Sequence, residues 1–173
     1  RSQINLLTKK LIFMNNTPLT SSGYLMLKNE LKNLKTIERP AVIQAIAEAR
    51  AHGDLSENAE YDAAKEKQSL IEGRILQLES KISTAQIIDP LELDRDGRVV
   101  FGVKVRLLDL DSEENLEYQI VGDDEADIKF NKISVSSPIA RALIGKFEGD
   151  VAEFNVPSGK REVEILKVLY DFK

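Results

Sequence analysis

Cysteine and tryptophan are absent from this chain, and histidine occurs once, at His52. Without cysteine there is no disulfide framework and no thiolate metal site. A single histidine excludes a His-rich metal centre and leaves little for Ser-His or Cys-His catalysis. Long apolar runs are missing as well, since none approaches the roughly 20 residues needed to span a bilayer. Basic charge is scarce: 24 Lys and Arg stand against 29 Asp and Glu, a net of −5. That balance argues against sequence-blind nucleic-acid binding, which needs a broad basic surface. The apolar fraction of 42% is ordinary for a soluble protein, and 173 residues suffice for one or two small domains. Within residues 1–13 the apolar Leu11-Ile12-Phe13 is too short for the core of a signal peptide. Residues 1–16 are read as a disordered upstream extension, with Met14 as a candidate natural start. A cytoplasmic protein is expected.

What is present falls into two grammars. From Thr20 to about Ala51 the pattern is helical. Leu27, Leu31 and Leu34 recur at spacings of four and three, and Val42, Ile46 and Ala49 repeat that rhythm. The step from Leu34 to Val42 is eight residues, so the stripe shifts near Pro40, where a kink or joint is expected. A second helix is expected from about Glu57 to Ile87. In it Ala64, Gln68, Ile71, Ile75, Leu78, Ile82 and Ala85 keep heptad spacing, the mark of a coiled-coil seam. Only a few residues separate the two helices, so they should pair antiparallel, each roughly 45 Å long. Asp89-Pro90 ends the second helix.

Beyond residue 90 the period drops to two. Residues 99–101, 103–107, 117–121, 150–156 and 162–168 read as strands. Ser137 followed by Pro138, with Gly145 beyond, frames one short helix. The fold class is therefore α+β. An antiparallel α-helical coiled-coil hairpin over 17–89 precedes a mostly antiparallel β-sheet domain over 90–173. That second domain carries 12 basic and 18 acidic groups, a net of −6, which suits a basic protein partner better than nucleic acid.

Between the helices lies the most informative run. Asp54, Glu57, Glu60 and Asp62 fall within nine residues, and no Lys or Arg occurs between Arg50 and Lys65. One reading is structural. Asp54-Leu55-Ser56-Glu57 has the form of a capping box, with Asp54 as N-cap and Glu57 at N3. The other is functional, because a cap needs one or two acids and this tip has four. Two carboxylates at the end of a long arm are too few to hold Mg²⁺ alone but could complete a site shared with a partner and a phosphate.

The run Ala47-Glu48-Ala49-Arg50-Ala51-His52-Gly53-Asp54-Leu55-Ser56-Glu57-Asn58-Ala59-Glu60-Tyr61 closely resembles the Gre family of bacterial transcript cleavage factors. So do residues 72–75, 85–89, 121–127 and 134–146, and the resemblance covers about residues 17–170. It implies an N-terminal coiled coil and a C-terminal domain with an FKBP-like fold. It also implies a factor that binds bacterial RNA polymerase and inserts its coiled coil into the secondary channel. There it would stimulate the polymerase to cleave the 3′ end of backtracked RNA, with no enzyme activity of its own. On that basis Asp54 and Glu57 map onto the catalytic acids that help hold a second Mg²⁺ in the polymerase active site. No tightly bound cofactor is implied. Arg50 and Lys65 become candidates for contacting the nascent RNA. Asp123, Asp124, Ser137, Pro138 and Ile139 become candidates for docking on the polymerase near the channel mouth. An alternative is a Gre-like paralogue that enters the same channel and inhibits synthesis. A prolyl isomerase is a poorer match, since the chain has only six Phe and four Tyr to line an aromatic pocket.

Overall fold

The computed structural model of the chain describes residues 16–54 and 58–172. Residues 1–15, Leu55, Ser56, Glu57 and Lys173 lie outside the described residues, and with them the expectation for the upstream extension. The described chain forms two compact units. One is Tyr24–Ala85, and the other joins residues 16–23 to residues 86–172.

The helical unit is built from α1 (Ser21–Asn33), a π-helical segment (Leu34–Glu38), α2 (Arg39–Ala51) and α3 (Ala59–Ser83). The π segment is the form taken by the joint expected at Pro40. Proline offers no N–H to the ladder, and its ring clashes with the carbonyl four residues back in an α-helix. The preceding turn widens instead, with the Arg39 N–H bonded to the Leu34 carbonyl. An eight-residue step overshoots a helical stripe by about 80° at about 100° per residue. Absorbing one residue in a π turn brings Val42 back beneath Leu34. Val42, Ile71 and Ile75 then form one buried cluster, with Leu31 and Leu34 packed against it.

Ion pairs flank this seam. Arg39 holds Glu72 through two bonds, Nε to Oε1 at 2.7 Å and Nη2 to Oε2 at 2.9 Å. Arg74 holds Glu30 in the same two-pronged way, at 2.7 and 2.9 Å. Lys35 meets Glu79 at 2.5 Å, and Lys67 meets Glu38 at 3.6 Å. The bond to Arg39 lowers the Glu72 carboxyl pKa, and the bond to Glu72 raises that of the Arg39 guanidinium. These groups are solvent-accessible, so their main effect is to mark register rather than to supply large stability. Arg39→Glu alone should lower the melting temperature at low salt by setting two carboxylates face to face. Adding Glu72→Arg should restore most of it, and salt should shrink the difference. Melting followed by circular dichroism checks this.

The second helix stops earlier than its pattern suggests. α3 ends at Ser83, and Ala85–Ile87 leaves it as strand β2, which lies beside β1 (Thr17–Leu19) in a two-stranded sheet. The larger sheet holds β3 (Lys104–Asp109), β4 (Asn115–Val121), β5 (Lys132–Ser134), β6 (Val151–Val156) and β7 (Gly159–Leu169) in the order β5-β4-β3-β7-β6. Three of its pairings are antiparallel, as expected, but β5 runs parallel to β4, so the sheet is mixed. The cause is the connection: residues 122–131 cross back through a 3₁₀ turn instead of a hairpin. Between β3 and β7 the register shifts by one residue, and the unpaired Leu166 is 44% exposed. Such a bulge strengthens the local twist and curls the sheet. Val103, Val105, Leu107, Ile120, Val163 and Ile165 form its core together with Ala140 and Leu143 of α4 (Pro138–Leu143).

Residues 99–101 do not form the expected strand, although Val99 and Phe101 are buried core residues. Their backbone pairs locally instead. The Val99 N–H donates to the Lys146 carbonyl at 2.7 Å, and the Gly145 N–H donates to the Val99 carbonyl at 2.9 Å.

Two buried carboxylates tie this unit together. Asp109 is 1% exposed. It accepts the N–H groups of Ser112 at 3.1 Å and Asp111 at 2.9 Å and pairs with Arg161. These bonds, the one from Ser112 first, hold its pKa below the usual 3.8. A carboxyl whose folded pKa is depressed adds stability above its unfolded pKa and loses it as pH falls through the folded value. Stability should therefore drop below about pH 4, and Asp109→Asn should flatten that limb in urea titrations at stepped pH.

Glu125 secures the first turn of α1. Thr20 is the N-cap: its Oγ1 accepts the Gly23 N–H at 3.0 Å and donates to Glu125 Oε2 at 2.5 Å. Ser22 Oγ donates to Glu125 Oε1 at 2.8 Å. A Cβ at position 23 would lie 2.5 Å from Glu125 Oε2, so a larger residue there would push the carboxylate away from Thr20 and Ser22.

Candidate functional site

The acidic run sits where α2 gives way to α3. At the end of α2 the His52 N–H donates to the Ala49 carbonyl at 3.2 Å, and the Gly53 N–H donates to the Arg50 carbonyl at 3.4 Å. Gly53 has φ +107°, a region that residues with a Cβ rarely enter. Asp54 follows it and is exposed.

The cap of α3 is not Asp54 but Asn58. Helix α3 begins at Ala59, and Asn58 Oδ1 accepts the Tyr61 N–H at 3.1 Å. Its Nδ2 donates to the Ala49 carbonyl at 2.7 Å. One side chain thus adds a second bond to a carbonyl at the end of α2 and satisfies an orphan N–H at the start of α3. An ionised aspartate has acceptors only and cannot do both. Asn58 thus takes the N-cap position expected of Asp54, and Glu57, with its half of the expected capping box, lies outside the described residues. Sequence reading passed over Asn58. Its signal was its type, since asparagine is among the favoured N-cap residues.

Around this bridge the charges are arranged on the surface. Glu60 and Asp62 occupy the first turn of α3, where carboxylates complement the helix dipole. Glu60 Oε2 lies 3.9 Å from His52 Nε2, with both side chains exposed, so the pair is weak. The Arg50 guanidinium sits 6.0 Å from the centre of the Tyr61 ring, at the outer limit of a cation–π contact. Tyr61 itself is half-buried on the first turn of α3. Lys65 is exposed further along α3, and its Nζ donates to Gln68 Oε1 at 3.3 Å. Among the described residues, no three or more His, Asp or Glu side chains gather as a metal site.

Of the candidates in the sheet unit, Asp123 and Ser137 both bond to Ser134. The Ser134 and Ser136 hydroxyls both donate to Asp123, the latter at 2.7 Å. Ser137 follows as the N-cap of α4, its Oγ accepting the Ala140 N–H at 3.3 Å and donating to the Ser134 carbonyl at 2.6 Å. Pro138 is exposed, Asp124 is half-buried, and Ile139 packs partly against the core. Nearby in sequence, Ile128 and Phe130 are exposed on the 3₁₀ turn. Aspartate 127 staples that turn by accepting the Lys129 N–H at 3.0 Å.

No helix among the described residues is long and apolar enough to cross a membrane.

Comparison with known proteins gives a consistent result. Residues 17–87 match the family model "Transcription elongation factor, N-terminal", and residues 94–170 match "Transcription elongation factor, GreA/GreB, C-term". The transcription elongation factor GreA of Ralstonia nicotianae is 64% identical over 157 residues, covering 91% of this chain and 99% of that protein. Its counterpart from Neisseria meningitidis serogroup A is 61% identical over the same shares. Among solved structures, GreA factor homolog 1 of Thermus thermophilus is 31% identical, with a TM-score of 0.39, over 88% of this chain and 98% of that one.

Proposed function

The chain belongs to the GreA/GreB family of transcription elongation factors, and from that premise we propose that it stimulates cleavage of backtracked RNA by bacterial RNA polymerase in the cytoplasm. The coiled-coil hairpin enters the secondary channel, and its acidic tip reaches the polymerase active site. The observation that carries this reading is the division of labour at the tip. Asn58 is the N-cap of α3, and Asp54 lies exposed just beyond the end of α2.

Asp54 and Glu57 are the residues that would hold a Mg²⁺ ion there. Carboxylate oxygens suit this hard cation, but two of them leave most of its six positions to polymerase, RNA phosphate and water. When bound, such an ion stabilises the scissile phosphate and lowers the pKa of its water. The tip carboxylates also accept hydrogen bonds from the attacking water and orient it. Arg50 and Lys65 supply positive charge behind the acids, suited to RNA phosphates. The sheet unit docks at the channel rim through Asp123, Asp124, Ser137, Pro138 and Ile139. Its net negative charge complements a basic rim.

The test is addition of the protein to stalled, backtracked bacterial elongation complexes carrying 5′-labelled RNA. Shortened RNA in the complexes, and intact RNA when polymerase is left out, is the expected pair of results. Cutting of free RNA would make the protein a nuclease. Binding to the complexes without cleavage would make it an inhibitor acting through the same channel.

A further inference from the structure

We propose that the hairpin carries a hinge at one level of its length and that bending there brings the arm into its cleaving position, an inference that rests on the function proposed above. Two helix-weakening features face each other. On one helix the π turn Leu34–Glu38 runs into Pro40. On the other, Gly73 sits in the interior of α3. Arg39 precedes Pro40, Glu72 precedes Gly73, and the two-pronged bond between Arg39 and Glu72 sets both features at the same level. Prolines and π turns are the usual sites of sharp helix bends, and glycine leaves free a backbone that other residues restrict.

The seam does not require either feature. Gly73 is exposed, and a Cβ there would meet nothing within 4 Å. Alanine fits that position and favours the helix. On the other helix, alanine at position 40 and one residue fewer in the π turn would leave a seven-residue step from Leu34 to Val42. That step keeps the stripe on the seam in a plain α-helix. The surplus residue is on the outside, where Ile37 is 60% exposed. Between the helices, Val42, Ile71 and Ile75 stay packed with Leu31 and Leu34. This apolar cluster is the pivot, and the outer surfaces at Ile37 and Gly73 have room to open and close.

Gly73→Ala stiffens one side of the hinge, and deletion of Ile37 together with Pro40→Ala straightens the other. The readouts are the cleavage rate at saturating factor, the factor concentration at half-maximal rate and the melting temperature. Both variants should melt above wild type and half-saturate within about 2-fold of it. Glycine-to-alanine changes in exposed helix interiors are large enough to shift a straight-to-bent equilibrium about 5-fold. The maximal cleavage rate should fall about 5-fold in Gly73→Ala and at least as far in the deletion variant. A gain in stability joined to a loss of rate marks a hinge, because a purely structural position does not oppose the two. Wild-type maximal rates in both variants would overturn the inference. Melting below wild type in both would make these features requirements of the fold and overturn it as well. So would a loss confined to the half-saturating concentration, which would make this level a contact surface. A wild-type protein that binds the complexes and fails to cleave would overturn the proposed function itself, and this inference with it.

Discussion

Asp54→Ala combined with Glu57→Ala is expected to reduce RNA cleavage in backtracked complexes by about 100- to 1000-fold, the usual cost of removing charge-stabilising groups from a reacting centre. Binding to polymerase should stay within about 2-fold, because docking is assigned to the sheet unit and to the length of the hairpin. Folding should also survive. The N-cap of α3 and the tie to α2 both come from Asn58, so the substitutions leave that cap and that tie in place. Each single variant should fall between wild type and the double variant, and the losses should not add if the two acids serve one ion. Gel analysis of labelled RNA, with affinity measured in parallel, checks this. Full activity in the double variant would return the acids to a structural role.

Ile75→Ala should have the largest effect on stability. Ile75 is 2% exposed and belongs to the cluster with Val42 and Ile71 that closes the hairpin. Leucine- and isoleucine-to-alanine changes in such cores cost about 2–5 kcal/mol, through lost burial and the cavity left behind. Whole domains are stable by only about 5–15 kcal/mol, so the variant should unfold at clearly lower urea concentration. The neighbouring Leu76 is 67% exposed, and Leu76→Ala should stay within about 0.5 kcal/mol of wild type. Urea unfolding followed by far-ultraviolet circular dichroism compares the two. Equal losses at both positions would mean that the heptad seam is not the core of the hairpin.

The features legible in the sequence are those carried by local period. The heptad run from Ala64 to Leu78 fixed which face of α3 is buried, and Ala64, Ile71, Ile75 and Leu78 are all buried in the structure. The eight-residue step at Pro40 announced a break in the stripe, but nothing local says that a π turn would absorb it. Period-two alternation located β3, β4, β6 and β7. It could not tell that β5 joins parallel, since that depends on how residues 122–131 cross back. It also misread residues 99–101, whose apolar side chains are buried while their backbone pairs with the segment after α4. The bond between Thr20 and Glu125 spans a separation of 105 residues, beyond any short-range pattern.

The tip shows the same limit on a smaller scale. Asp54, Ser56 and Asn58 are all residue types that cap helices. Asn58 caps α3 and also reaches the other helix, where the Ala49 carbonyl takes its amide beside the His52 N–H. The acids themselves were legible as a concentration of like charge between two helices. Their chemistry was not, because the remaining ligands of any shared ion belong to another molecule.

The most direct measurement is therefore the Mg²⁺ dependence of RNA cleavage in backtracked complexes at saturating factor. It compares wild type with the Asp54→Asn/Glu57→Gln variant, which keeps the shape of both side chains and removes their charge. A clearly higher Mg²⁺ requirement in the variant, partly rescued at high Mg²⁺, is the expected result. Superimposable Mg²⁺ curves for the two proteins would contradict a role for the tip carboxylates in holding the ion.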